Sequence, residues 1–246
     1  MILITIIVIA CYVIYNALVM ASFGTRVAGR LTNRSALGTT LSQTVYMTAD
    51  FFIIFFLPAL AFIVESGINI NDYLILVLIA YVLTFLVSIL MLLKLNSLQR
   101  FYQSIFIKYD DNTIPIAVLK VLISKNKELN KKDCDHFTFD KIILKKTLVS
   151  FLAYIFLITG FFNAFLLAVM FPENRLTLSQ FTAAFHGFGA VIFALYLDPM
   201  LSRSIDTYSD NVTWLKNVYS ILLGRIFSYL VMIISISIVL FYFKLF

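Results

Sequence analysis

Uninterrupted apolar runs recur along the whole chain, and this feature limits the folds that the sequence can adopt. Each run has about 20 residues, enough for a helix to cross the ~30 Å hydrocarbon core of a bilayer. The runs are apolar throughout rather than alternating, which favours helices over the strands of a barrel. With 61% hydrophobic and 13% charged residues, the chain has too little polar surface for a soluble protein. The sequence therefore predicts an all-α polytopic membrane protein with about six transmembrane helices.

The six predicted spans belong to a single membrane domain that covers residues 1–246. They lie near residues 1–23, 37–64, 73–95, 147–171, 178–197 and 218–243. The first run has neither the basic start nor the small-residue cleavage pattern of a signal peptide, so we expect it to be retained as a span. The segment 96–146 is a basic extramembrane loop, and within it residues 114–125 are expected to form a helix in the membrane interface.

Positive charge is concentrated in alternate loops. Loops one, three and five, together with Arg225 at the start of span six, hold 17 of the 19 Lys and Arg residues. Positive residues stay on the cytoplasmic side, so these loops face the cytoplasm and both termini face outward from the plasma (inner) membrane. The net charge of +6 suits an anionic inner leaflet. We therefore expect membrane lipids as partners, and no nucleic acid.

The first loop and the second span hold the most informative polar residues. Arg26, Arg30 and Arg34 are spaced four apart, so on one helix they form a stripe suited to a diphosphate; the alternative is an anchor to lipid phosphates. Gln43 and Asp50 share a face of span two. A carboxylate near the centre of a membrane is costly, by about 2.5–3.5 kcal/mol, so we expect Asp50 to face a partner or a polar cavity.

Further candidates lie in the second half of the chain. His186 in span five can change charge near neutral pH, although a lone buried histidine is more often structural. Asp198 precedes Pro199, so it is expected to mark the end of span five. Arg203 and Arg225 are candidate partners of Asp198 and Asp206, or further phosphate ligands; a capping and salt-bridge cluster is the alternative.

A short sequence echo links the two halves of the chain. Residues 40–43 and 177–180 both read Thr-Leu-Ser-Gln, and they open spans two and five. These spans enter the membrane from opposite sides in the predicted topology. The echo therefore suggests an inverted three-plus-three repeat, the architecture of many alternating-access carriers.

No catalytic or cofactor motif is recognisable in the sequence. Metal-ligand spacings, a nucleophile elbow and a phosphate-binding glycine loop are all missing, and Cys11 and Cys134 support neither a disulfide framework nor a zinc site. We therefore expect no metal, no cofactor and no enzymatic activity. An acidic pair, Asp110-Asp111, keeps a membrane-embedded enzyme of envelope lipid assembly open as an alternative.

The stretch 26–50 resembles the Amj family of lipid II flippases, the alternatives to MurJ. The resemblance lies in Arg26-Val-Ala-Gly-Arg-Leu-Thr-Asn-Arg34, in Met47-Thr-Ala-Asp50 and in Asp198-Pro199 followed by Leu201 and Asp206. Met47 stands where the family has an arginine, and Asp50 where it has an amide. These departures concern the substrate more than the fold.

The resemblance implies a flippase that moves an undecaprenyl-diphosphate-linked saccharide, most plainly lipid II, to the outer leaflet for peptidoglycan synthesis. The three arginines of loop one are then expected to capture the diphosphate, with Gln43 and Asp50 along the path. A flippase for an O-antigen or capsule precursor and a scaffold without transport activity remain alternatives. The oligomeric state is not readable from the sequence.

Overall fold

The computed structural model describes residues 1–123, 142–207 and 210–245, without the side chains of residues 206, 244 and 245. Cys134 lies outside the described residues. In the described part of the chain every regular element is helical, and six helical stretches are long and apolar enough to cross a membrane. The predicted all-α polytopic membrane fold is thereby confirmed. The elements are α1 (Ile2–Leu31), α2 (Ser35–Glu65), α3 (Ile70–Leu93), α4 (Leu95–Tyr109), α5 (Ile114–Ile123), α6 (Leu144–Met170), α7 (Arg175–Ile192), a π-helical segment (Phe193–Leu197), α8 (Asp198–Thr207) and α9 (Asn211–Leu245).

The helix pair α1–α2 is a close hairpin that extends beyond the predicted end of the first span. α1 runs on to Leu31, and the turn contains Asn33 in the left-handed region with φ 59°, a conformation that asparagine tolerates. A Cβ added to Gly29 would lie 2.7 Å from the Cα of Gly38. Two glycines therefore allow the backbones to touch near the turn, as small residues do between membrane helices.

The two halves of the molecule pack in the same way. α1 packs on α2 and α3, α6 packs on α7 and α9, and α3 and α9 join the halves. A cluster of aromatic side chains lies where they meet, with the ring of Phe162 within 5.5 Å of those of Tyr12, Phe56 and Tyr81. This arrangement agrees with the suggested three-plus-three repeat, with α1, α2 and α3 matching α6, α7 and α9.

The described part of the segment between the halves, up to residue 123, contains two helices where one was expected. α5 corresponds to the predicted helix at 114–125. α4 was not predicted, and it packs on α1 so closely that a Cβ on Gly24 would lie 3.2 Å from the ring of Tyr102. α5 packs in turn on α4, and the Nζ of Lys108 donates to the carbonyl of Lys120.

α7 lies at the edge of the bundle and packs almost only on α6. A Cβ on Gly160 would lie 2.9 Å from the backbone N of His186, and one on Gly189 would lie 2.7 Å from that of Leu157. α7 hardly touches α2. Because both helices contact α6, a lateral gap opens between them, which we call the α2–α7 cleft.

The prediction that the fifth span ends at Asp198 is wrong. The chain stays helical through the π-helical segment into α8. Because the helix is continuous there, the missing N–H of Pro199 leaves a carbonyl of the preceding turn without its helical partner, and the π-helical segment occupies that turn. π-helical turns are rare in proteins as a whole, and many of those that occur lie at functional sites.

Candidate functional site

A cavity of about 220 Å³ lies at one end of the α2–α7 cleft, among α1, α2, α6, α7, the π-helical segment, the start of α8 and α9. Its wall combines apolar and aromatic side chains with three charged ones, and we call it the arginine cavity. The charged residues are Arg26, Asp198 and Arg225. Its volume corresponds to about seven water molecules, and it is smaller than the ~300–1,000 Å³ of pockets for drug-sized ligands.

Arg225 is the most unusual residue of this wall. It projects from α9 and is only 2% exposed. One Nη donates to the Oδ1 of Asn16 at 2.7 Å, and the guanidinium carbon lies 4.7 Å from the centre of the Tyr154 ring. Its Nε and its other Nη have no hydrogen-bond partner among the described residues. No carboxylate of the described residues forms an ion pair with Arg225 either. The two ion pairs in this part of the chain are formed by Arg26 and Arg34.

The neutral groups around Arg225 are oriented by one another. The amide of Asn16 donates to the carbonyl of Tyr12, which turns its oxygen toward Arg225. The hydroxyl of Tyr229 also donates to this oxygen. These contacts position the guanidinium without neutralising its charge, so the cavity has a fixed positive wall.

Arg26 is also buried, but it has a counter-ion. Its Nη lies 2.5 Å from the Oδ1 of Asp198, and its Nε donates to the hydroxyl of Ser42 at 3.2 Å. Asp198 is partly exposed, with 31% of its side chain accessible, whereas that of Arg26 is 5% accessible. The pair therefore joins α1 to the start of α8 at the edge of the cavity.

The predicted stripe of three arginines is wrong, because α1 ends at Leu31 and Arg34 is the residue before α2. Arg30 donates to the carbonyl of Ile205 and to the side chain of Asn211. Arg34 forms two hydrogen bonds to the carboxylate of Asp110, at 2.7 and 2.8 Å. Of the three arginines, only Arg26 therefore lines the cavity.

The acidic pair of the loop is engaged through its first member. Hydrogen bonds from the Arg34 guanidinium hold the pKa of Asp110 below its usual value. This surface ion pair joins the α1–α2 turn to the end of α4. Solvent screens a pair this exposed, so it positions these elements more than it stabilises them.

Span two contributes Gln43 to the cavity wall. Asp50 follows two turns later on the same face of α2 and is half-buried. It is not on the wall of the arginine cavity. Tyr46, which lies between them along the helix, is the last residue of α2 that lines the cavity.

The remaining two candidates lie elsewhere. Arg203 is exposed on α8 beside a shallow cleft, so the predicted pairing of Arg203 with Asp198 is wrong: Asp198 binds Arg26. His186 lies on α7, where its Nδ1 is 3.4 Å from the carbonyl of Leu157 and its ring packs at a tilt against that of Phe161. It lines a second chamber rather than the arginine cavity.

Sequence reasoning missed the neutral part of the site. Asn16 is the one amide side chain within the apolar first span. A single amide in such a span could have marked Asn16 as a candidate site residue. Tyr229 lies four residues after Arg225, the spacing of neighbours on a helix face. Tyr154 gave no signal, because a tyrosine in an apolar helix usually belongs to the core.

Comparison with known proteins gives no relative for this arrangement. No protein-family model matches the chain, no curated protein does, and no solved structure does.

Proposed function

We propose that this protein moves the headgroup of a polyprenyl-diphosphate-linked saccharide, with lipid II as the first candidate, from the inner to the outer leaflet. The observation that carries the proposal is Arg225, a buried cation with two unpaired guanidinium nitrogens and no carboxylate partner among the described residues. Removing an ion from water costs several kcal/mol even after relaxation. An arriving phosphate group supplies both the missing charge and the missing acceptors.

The size of the arginine cavity limits what it accepts in this conformation. At about 220 Å³ it has room for a phosphate or diphosphate group, but not for a complete disaccharide with a peptide. The diphosphate is therefore the part of the substrate that this cavity binds. The saccharide and peptide need space outside it.

The α2–α7 cleft gives the hydrocarbon chain a place. Because α2 and α7 hardly touch, the described helices leave this side of the cavity uncovered, and we expect lipid to border it. The headgroup enters the polar interior while the polyprenyl chain stays in the bilayer. Transfer then avoids exposing the diphosphate to hydrocarbon, which is the main barrier to spontaneous flipping.

The experiment reconstitutes purified protein in liposomes and measures how fast a labelled lipid-linked sugar becomes accessible to an impermeant reagent at the opposite face. Parallel samples contain lipid II, an O-antigen or capsule precursor, and a phospholipid. The critical variant is Arg225→Met, which removes the charge and keeps most of the volume. Arg203→Met is the matched control, because Arg203 is exposed and lies outside the arginine cavity.

The expected result is transfer of a diphosphate-linked sugar by the wild type and by Arg203→Met, with loss of transfer in Arg225→Met by at least about tenfold. Arg225→Met should also unfold at the same or a higher temperature, since removal of an uncompensated buried charge does not cost stability. The sugar transferred fastest identifies the cargo. Equal transfer by all three proteins, or none by the wild type in any sample, contradicts the proposal.

A further inference from the structure

A second chamber, of about 530 Å³, lies at the other end of the α2–α7 cleft. We call it the far chamber. Its polar lining comes from Glu65 at the end of α2 and from residues of α7, and Phe161 and Phe165 of α6 lie between them. The polar α7 residues are Ser179, Gln180, Thr182 and His186.

The two chambers share three helices and are close together along them. On α6 the arginine cavity is lined up to Ile158 and the far chamber begins at Phe161. On α7 the far chamber ends at His186, and the arginine cavity begins one turn later at Ala190. On α2 the half-buried Asp50 lies between the two sets of lining residues.

An aromatic pair forms the wall between them. The rings of Phe161 and His186 are in contact, tilted by 34° with their centres 4.8 Å apart. On the side of the arginine cavity, Tyr15 meets Phe161 edge-on at 6.3 Å. The His186 ring also approaches the Leu157 carbonyl. The backbones of α6 and α7 are in contact at this level, since a Cβ on Gly160 would lie 2.9 Å from the backbone N of His186. Opening a passage along the cleft therefore requires rotamer changes of Phe161 and His186 rather than separation of these two helices.

The Thr-Leu-Ser-Gln echo places equivalent residues in the two chambers. Ser42 and Gln43 line the arginine cavity, and Ser179 and Gln180 line the far chamber. These pairs open α2 and α7, the helices that correspond in the matching packing of the two halves. Under the suggested repeat, the far chamber is therefore the counterpart of the arginine cavity.

The charges of the two chambers differ. Two arginines line the arginine cavity, whereas the described lining of the far chamber contains no arginine or lysine and includes the carboxylate of Glu65. Hydroxyl and amide groups beside phenylalanine rings suit a neutral, hydroxyl-rich ligand. Within the described lining a diphosphate finds no arginine or lysine, and Arg175 beside it donates to the carbonyl of Glu65.

We propose that the far chamber is a second station for the same headgroup, which accepts its neutral saccharide part once Phe161 and His186 have separated. This inference rests on the proposed function. The volume of the far chamber falls within the ~300–1,000 Å³ of small-ligand pockets, whereas the arginine cavity is smaller than that range. The diphosphate is bound tightly only by the arginines of the arginine cavity. A headgroup that has reached the far chamber is held less tightly, which favours its release from that end.

The test fills the far chamber without touching the arginine cavity. Ala183→Trp places an indole in the far chamber, and Ala184→Trp is the matched control, because Ala184 is the next residue, is also exposed and is not part of the lining. Gln180→Trp is a second filling variant at an exposed lining position. Each protein is tested for binding of undecaprenyl diphosphate in detergent and for transfer of the lipid-linked sugar in liposomes.

We expect Ala183→Trp and Gln180→Trp to bind undecaprenyl diphosphate within about twofold of the wild type and to lose transfer by at least about tenfold. Ala184→Trp should match the wild type in both measurements. Normal transfer by the two filling variants overturns the second station, as does a parallel loss of binding and transfer in both. A wild type that neither binds nor transfers refutes the proposed function itself, and the second station with it.

Discussion

Arg26 and Arg225 lie on the wall of the same cavity, but their surroundings differ. Arg26 is neutralised by Asp198, whereas Arg225 has only neutral neighbours, Asn16, Tyr154 and Tyr229. An anion that enters the cavity therefore competes with Asp198 for Arg26 but meets no competitor at Arg225. Asp198 is the more exposed partner of its pair, so it can leave Arg26 for water at lower cost than Arg26 can move.

Asp198→Asn should strengthen anion binding. The change removes the carboxylate that occupies Arg26, so a diphosphate gains a second guanidinium without displacing a competitor. A charged hydrogen bond contributes about 1.5–3 kcal/mol, which predicts binding of inorganic diphosphate roughly 10- to 100-fold tighter. Calorimetry on the purified protein measures the change.

Asp111→Asn is the control for the loss of one negative charge, because Asp111 is exposed and far from the cavity lining. It should bind diphosphate as the wild type does. Weaker binding by Asp198→Asn would mean that Asp198 holds Arg26 in place for the ligand rather than competing with it.

Among the elements, the two hairpins α1–α2 and α6–α7 are held together by close glycine contacts. In the first hairpin Gly29 and Gly38 face each other, and in the second Gly160 and Gly189 admit the facing helix. Such contacts bring backbones together without large side chains, which suits packing in lipid, where the hydrophobic effect does not drive helix association. Each hairpin can thus act as one unit within its half.

Gly29→Ala should destabilise the first hairpin. Its Cβ would lie 2.7 Å from the Cα of Gly38, and relief of that overlap requires the helices to separate, at a cost of about 1–3 kcal/mol. Gly187→Ala is the control in α7, since no atom lies within 4 Å of its Cβ position.

Gly187→Ala should be neutral or stabilising by up to ~1 kcal/mol, because alanine is the better helix former. Thermal unfolding in one detergent compares the two variants with the wild type. Equal stability of Gly29→Ala and the wild type would show that the hairpin is loose at its turn.

Hydropathy predicted the membrane helices well, because a span must be continuously apolar over a fixed length. It could not predict α4, whose apolar residues are mixed with polar ones and are buried only because α1 lies against them. It also misjudged Pro199, since the chain stays helical past this proline by widening into a π-helical turn just before it. The continuation of the helix past the end of α7 depends on packing as well as on local sequence, so the sequence alone could not predict it.

For the whole molecule, the sequence identified charged residues but not which of them meet. Arg26, Asp198 and Arg225 were candidates, and the structure brings them to one cavity from three distant helices. Their separation along the chain does not predict that they lie on the wall of one cavity. The arginine stripe failed for the related reason that a turn at residues 32–34, invisible in the charge pattern, separates Arg34 from the other two.

The orientation of the bundle remains a prediction from the positive-inside rule. In a background with Cys11 and Cys134 replaced by serine, Asn174→Cys should react with an impermeant maleimide in intact cells. Asp111→Cys should react only after permeabilisation. Both positions are exposed loop residues, so access to the reagent depends on the side of the membrane, and the reverse labelling pattern would invert the topology.

Under the proposed function, the gap between α2 and α7 makes the surrounding lipid a part of the surface along which the substrate moves. In the proposed transfer, acyl chains complete the side of the cleft that none of the described helices closes, so every headgroup that passes must push neighbouring lipids aside. Turnover should therefore depend on bilayer viscosity and thickness even when both chambers are unchanged, and the membrane acts as a co-determinant of the rate.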